Sequence, residues 1–227
     1  MSRLSSLSLL PDREEVETLR TKIIAHLRRA IEAGILEPGM RLVEKDLCEQ
    51  LEVSRTSLRE ALRELQAEGV LTHVSNRGLT VATVTRREAE NIYRIRQVLE
   101  PLLVEQFIEK ASQADIEALK PGAEKLKAAY RSGDFAVITA AKRDFYDRIC
   151  VGADNAIAFD ILNRLTLRTS QLRRRSVARE ERQEESVGEI EALVGAIAAR
   201  DKAVARRIAK THVANAARSA FLASPEI

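Results

Sequence analysis

The stretch Ser54-Arg55-Thr56-Ser57-Leu58-Arg59-Glu60-Ala61-Leu62 decides how this chain reads. Ser54 is a residue type that caps a helix, because its hydroxyl accepts from an otherwise orphaned backbone N–H of the first turn. From Arg55 to Glu68 the pattern is helical, with Leu58, Leu62 and Leu65 on one face, and Gly69 supplies the stop. Arg55 and Arg59 stand one turn apart on a different face. A guanidinium matches the O6 and N7 acceptors of guanine, hydroxyls suit phosphates, and a helix N-terminus itself attracts phosphate. Glu60, Glu64 and Glu68 lie close by, so an ordinary solvated Arg/Glu face is the competing reading of these residues alone.

Upstream, Leu19, Ile23, Leu27 and Ile31 make an inward row that Gly34 ends. Pro38-Gly39 marks a turn, Glu44 to Leu51 forms a short helix, and Glu52-Val53-Ser54 breaks it. Downstream the period shortens to that of strands. Val70 to Ser75 and Leu79 to Val84 flank Asn76-Arg77-Gly78 as a hairpin tip. Three helices followed by a two-stranded wing make a winged helix-turn-helix over residues 12–84, with residues 1–11 as a flexible tail. From Arg86 onward every segment is helical. A long helix carries Ile92, Ile95, Leu99, Leu102, Leu103 and Phe107, interrupted by Pro101, and further helices fit about 113–131, 134–150, 155–182, 184–199 and 201–223. The spacing predicts a mainly α protein whose residues 85–227 form an all-α bundle of about six helices.

Composition narrows the function. The 227 residues are 45% hydrophobic and 31% charged, which suits a globular chain able to bury a core. Two distant cysteines, Cys48 and Cys150, read as reduced thiols, and no apolar run long enough for a signal peptide or a membrane span is present, which predicts a cytoplasmic protein. The net charge is +3, but residues 12–84 hold more acidic than basic side chains. Any contact with nucleic acid must therefore come from local placement of cations. Inward Glu-x-x-His sets, a P-loop, a nucleophile elbow and HExxH are all missing, which argues against an enzyme.

Gly34-Ile-Leu-Glu-Pro-Gly-Met-Arg-Leu, Glu44-Lys-Asp-Leu, Val53 to Leu62, Glu68-Gly-Val-Leu71 and Asn76-Arg-Gly78 together resemble the DNA-binding half of GntR-family regulators. The resemblance implies base and phosphate contacts by Lys45, Ser54, Arg55, Thr56, Ser57 and Arg59, with Arg77 and Gly78 at the wing tip approaching the minor groove. Ser57 stands where many members carry Pro. Residues 86–223 resemble the FCD ligand-binding domain of the FadR-like branch through Arg96-Gln-Val-Leu-Glu100, Phe145-Tyr146, Asn155, Ala196 to Asp201 and His212.

Many FCD members hold a divalent metal with one Asp and three His. In that frame this chain has Lys142 at the Asp position, Tyr146 and Ile190 at two His positions, and only His212 of the set. One imidazole does not make a metal site, so the expectation is no metal and no cofactor. Ile138, Lys142, Phe145 and Ile149 share a face, and Val204, Ile208 and His212 form another inward row. A buried lone Lys is costly, and a carboxylate would offset that cost. Lys142, Tyr146, His212 and Arg96 are thus candidates to grip a small anion directly. The alternatives are Lys142 snorkelling to solvent, Tyr146 and His212 as hydrogen-bonded core residues, and Arg96 pairing with Glu100. Arg173-Arg174-Arg175, with Arg168, Arg179 and Arg182, reads as a solvated face, with a nucleic-acid or anion contact as the alternative. The expected function is that of a homodimeric repressor on a pseudo-palindromic duplex operator, modulated by a small carboxylate. The rivals are a DNA-binding dimer with no effector and a metal-dependent sensor or enzyme in the bundle.

Overall fold

Ser54 does cap a helix, and its neighbours build the head around it. The computed structural model describes residues 18–224; the expected tail at residues 1–11 and the chain ends at 12–17 and 225–227 lie outside them. Helix α1 (Leu19–Glu32) is capped by Thr18, whose hydroxyl accepts from the Thr21 N–H. It buries Ile23, Ile24, Leu27 and Ile31, while Leu19, expected inward, is exposed. Helix α2 (Glu44–Leu51) ends at Glu52, whose left-handed φ of 53° makes the sharp helix-turn-helix bend. Helix α3 (Arg55–Ala67) starts where the Ser54 hydroxyl accepts from the Ser57 N–H at 3.2 Å. Glu68 is its C-cap, and Gly69 follows at φ +70°, the left-handed residue just past the helix.

The wing is β1 (Leu71–Val74) paired antiparallel with β2 (Gly78–Val81), running from Leu71 opposite Val81 to Val74 opposite Gly78. Both strands are shorter than expected, and Gly78 belongs to the ladder, so the tip is Ser75-Asn76-Arg77. The Pro38-Gly39 turn leads into a third extended piece along β2. The Leu42 N–H donates to Leu79 O, the Val81 N–H donates to Met40 O, and Arg41 bridges Thr80. The head core is aliphatic and includes one residue from far downstream, Leu167.

The bundle begins with α4 (Arg86–Lys110), whose Thr85 and Glu88 form a reciprocal capping box. The helix runs through Pro101 without a break, which corrects the expected interruption. Its end is closed by Arg200, which donates to Ile108 O at 2.8 Å and Ala111 O at 3.0 Å. Ile95 and Leu102, placed on the inward face by periodicity, are exposed, whereas Ile92, Leu103 and Phe107 are buried. The remaining helices are α5 (Gln113–Glu117), α6 (Leu119–Ser132), α7 (Phe135–Gly152), α8 (Ala156–Arg168), α9 (Ser170–Val177), α10 (Glu180–Ala198) and α11 (Lys202–Leu222). Six long helices and two short ones thus form the bundle, with α4 packed most extensively on α11.

Two stretches expected as single helices are divided. The segment 113–131 turns at Ala118, and 155–182 becomes α8, α9 and the start of α10. The α8–α9 joint is Thr169, fully buried, with its hydroxyl donating to Leu165 O and Thr166 O. Gly152, a helix stop in the sequence, ends α7 and lies so close to Phe107 that an added Cβ would sit 2.6 Å from the ring.

Candidate functional site

The first candidate surface is the exposed side of α3 with the wing. Ser54, Arg55, Thr56 and Arg59 are exposed and Ser57 is half-buried, all at the N-terminal end of α3. Lys45 projects from α2, near Glu49 at 3.9 Å. Arg59 Nε donates to Glu44 Oε2 at 2.8 Å, an exposed pair that a phosphate or base can replace at little cost. Arg63 continues the exposed row one turn beyond Arg59, a residue the sequence reading did not name. Arg77 is exposed at the wing tip beside Asn76 at φ 66°. The cations are presented by a rigid helix and a hairpin although the domain as a whole is not basic.

The second candidate is a partly open cavity of about 170 Å³ lined by α4, α7, α8, α9, α10 and α11 together with α1. Its volume is below the roughly 300–1,000 Å³ of drug-sized sites, so its occupant is small. Arg96, Lys142, Tyr146 and His212 all line it, so the fold brings the four sequence candidates together. Lys142 is 9% exposed and does not reach solvent; its Nζ lies 5.9 Å from the centre of the Tyr130 ring. Burial lowers its pKa, Tyr130 opposes the shift, and Arg173 and Arg182 add to it. Arg96 does pair with Glu100, at 2.8 Å, but it also faces the cavity, and its Nη1 is buried without a hydrogen-bond partner among the described residues. Burial raises the Tyr146 phenol well above its usual pKa, which keeps it a hydrogen-bond donor.

Arg173 and Arg182 were expected on a solvated face, and this is a correction. Both line the cavity, and Arg182 is only 3% exposed. Sequence position hides this because the carboxylate that holds Arg182 is Glu189, two turns on, at 2.7 Å. The Arg173 side chain has no hydrogen bond or ion pair among the described residues. Burial first, and then the charge of Arg96, pulls its pKa down to about 10. Arg168 and Arg179 are partly exposed and pair with Glu88 and Glu181, although Arg168 Nε is buried without a hydrogen-bond partner among the described residues.

Glu189 organises the far wall. It accepts from Arg182 and from His212 Nδ1 at 2.6 Å. Burial opposes its ionisation, but the hydrogen bonds from His212 and Arg182 prevail and hold its pKa at about 2. Burial pulls His212 down to about 4 against the hydrogen bond to Glu189, so the imidazole is neutral near pH 7. Its Nδ1–H donates to Glu189, which leaves Nε2 as an acceptor. The unfolded chain takes up this proton near 6.5 and the folded protein only near 4. The unfolded state therefore binds more protons throughout that window, and stability falls as the pH drops through it, by roughly 3 kcal/mol in all. Glu189 adds to the loss at still lower pH, since its folded pKa lies below the 4.5 of a free side chain. Urea unfolding across the window checks this: a His212→Gln variant should lose the His part of the slope, and a wild-type stability flat between 6.5 and 4 contradicts it.

The donor set does not fit the family's metal. Lys142 and Tyr146 face the cavity where Asp and His would be needed, and Ile190 is packed in the main core cluster instead of lining the cavity. Among the described residues no group of three or more His, Cys, Asp and Glu side chains could hold a metal ion. Burial pushes the Cys150 thiol on the cavity wall up to about 12, so it stays protonated. None of the described helices is long and apolar enough to cross a membrane.

A reading head joined to a ligand-sized bundle is the build of a DNA-binding transcriptional regulator. Residues 19–81 match the bacterial regulatory proteins of the gntR family, and residues 91–215 match the FCD domain. The chain belongs to the GntR family and carries an FCD domain. It is 32% identical over 151 residues to the HTH-type transcriptional regulator McbR of Escherichia coli, covering 66% of this chain and 68% of that one. The solved structure of E. coli McbR/YncC superposes with a TM-score of 0.81 at 26% identity, over 90% of this chain and 98% of the other. A gluconate operon transcriptional repressor of Bacillus licheniformis is 33% identical over 86 residues, 38% of this chain and 35% of the relative. These relatives are regulators, not enzymes.

Proposed function

We propose that the protein is a cytoplasmic, homodimeric repressor that binds a pseudo-palindromic operator through Lys45, Ser54, Arg55, Thr56, Ser57, Arg59, Arg77 and Gly78, and is modulated by a small carboxylate in the bundle cavity. The observation that carries the effector half is a charge imbalance. Arg96 and Arg182 have carboxylate partners, Glu100 and Glu189, but Lys142 and Arg173 have no ion pair among the described residues. Lys142 is buried and Arg173 half-buried, cations so placed without counter-ions are costly, and an anion with one or two carboxylates supplies what is lacking. Arg96 Nη1 and the Tyr146 phenol add donors at the same wall. The repressor sense rests on the relatives' role alone.

A second copy is supported by an apolar stripe. Ile95, Val98 and Leu102 of α4 and Ile157 and Ile161 of α8 are exposed. Asn155 Nδ2 donates to Gln106, and Arg168 pairs with Glu88, so α8 runs antiparallel beside α4 and the two rows adjoin. A stripe of this kind on two long helices suits an isologous dimer, and two α3 helices one helical turn of DNA apart would then read two half-sites.

The test is calorimetry and thermal unfolding with short organic acids, using Lys142→Met as the control. In the absence of acid, Lys142→Met is expected to keep or raise Tm, because it removes a buried charge that has no carboxylate partner. The same variant should bind the acid at least about tenfold more weakly, since a charge-assisted contact is lost. Equal binding by variant and wild type overturns the assignment of Lys142. No acid shifting Tm at all favours a DNA-binding dimer without an effector.

A further inference from the structure

The cavity is not lined by the bundle alone. Arg28 and Glu32, both on α1 of the DNA-binding head, form part of its wall. Glu32 pairs with Arg143 of α7, which lines the same cavity. Arg28 does something further: its Nη2 donates to both carboxylate oxygens of Glu68 at 2.6 Å. Glu68 is the C-cap of α3, the helix that presents Arg55 and Arg59. Its side chain is only 9% exposed, and Arg164 of α8 approaches it from the other side at 3.9 Å. The end of the recognition helix is thus held by a guanidinium that also faces the cavity.

That guanidinium is incompletely used. Arg28 Nε is buried and has no hydrogen-bond partner among the described residues. An arginine carries five donors in a fixed planar fork, so one group can be held along one edge while a second carboxylate is bound along another. We propose that Arg28, a residue of the DNA-binding domain, is itself an effector-contacting residue, and that an anion in the cavity is tied through it to Glu68 at the end of the recognition helix. This rests on the reading of the cavity as a carboxylate site. The bound anion engages the unused Nε–H of Arg28, fixes the guanidinium, and so fixes the α3 C-terminus relative to the bundle. Anion and operator then bias the same element, which is what coupling between two sites requires. The remaining α1 side chain in the wall, Glu32, is anionic and already held by Arg143, so Arg28 is the α1 group that suits a carboxylate.

The test uses the full chain with succinate, further short dicarboxylates and inorganic sulfate as probe anions. Calorimetry reads anion affinity, and operator gel shifts with and without anion read the coupling. Arg28→Gln is expected to weaken the anion about tenfold and to abolish its effect on operator affinity. Glu68→Gln changes a residue outside the cavity wall; it should keep anion affinity close to wild type and still abolish the effect on DNA. It also guards against a folding defect at Arg28, since its anion binding reports a folded cavity. If both variants bind the anion and shift operator affinity as wild type does, the inference is overturned. If wild type binds none of the probes, the cavity reading fails and this inference fails with it. If Arg28→Gln loses anion affinity but Glu68→Gln keeps the full effect on DNA, the tie to the recognition helix is wrong.

Discussion

Arg182→Ala lowers the unfolding free energy by about 3–5 kcal/mol, the usual consequence of leaving one member of a buried ion pair without the other. Arg182 is 3% exposed and is the donor that meets Glu189 at 2.7 Å and Glu185 at 3.2 Å. Without it, Glu189 keeps only His212 and Asn215 as donors. Its depressed pKa should then rise, because a hydrogen bond from Arg182 is among the groups that hold it near 2. Arg182→Met should recover part of the loss by filling volume but not the charge. Urea unfolding of wild type and the two variants measures this, and a loss below about 1 kcal/mol for Arg182→Ala, the scale of an exposed pair, would show that the pair is solvated after all.

The second large effect is at the DNA surface. Arg55 and Arg59 lie one turn apart at the exposed start of α3. A bidentate contact to a base is worth about 1–3 kcal/mol of discrimination, so Arg55→Ala with Arg59→Ala should cost about 2–6 kcal/mol of specific operator binding if the two act independently. Neither substitution touches the head core of Leu58, Leu62 and Leu65, so Tm should stay close to wild type. Loss of the Arg59–Glu44 pair is a minor term, because that pair is exposed. Footprinting should show loss of protection at the half-sites, while weak binding to unrelated duplex persists through the remaining cations. Operator affinity unchanged in the double variant would remove α3 as the reading element.

The head was legible because its signals are local. Ser54, the Leu58-Leu62-Leu65 row, Gly69 and the Asn76-Arg77 turn each set backbone conformation within a few residues. The bundle was legible as helical but not in its joints. Thr169 and Arg179 break a long helical stretch without any Gly or Pro to mark the place; Thr169 is buried, and Arg179 is extended at φ −86°, ψ 120°. Periodicity also assigned Ile95 and Leu102 to the core because it cannot tell a face packed inside the subunit from one left for a partner.

The cavity was legible in part. Lys142 and His212 were found because the resemblance to the FCD domain places them at its metal-ligand positions, and the apolar rows around them turn both inward. Arg173 and Arg182 were missed because a run of arginines looks solvated until Glu189, Arg96 and the α8–α9 bend are placed around it. Arg28 gave no signal at all. It sits just outside the buried Leu27 row where a solvated cation is ordinary, and its role depends on the docking of the head against α8, where Leu167 enters the head core.

Operator titrations with and without a cavity-binding dicarboxylate decide whether the proposed anion cavity is coupled to α3. With coupling, operator affinity changes by about 5–150-fold, with the reciprocal change in dicarboxylate affinity when operator is present. A dicarboxylate that binds the wild-type cavity and leaves operator affinity the same would contradict it.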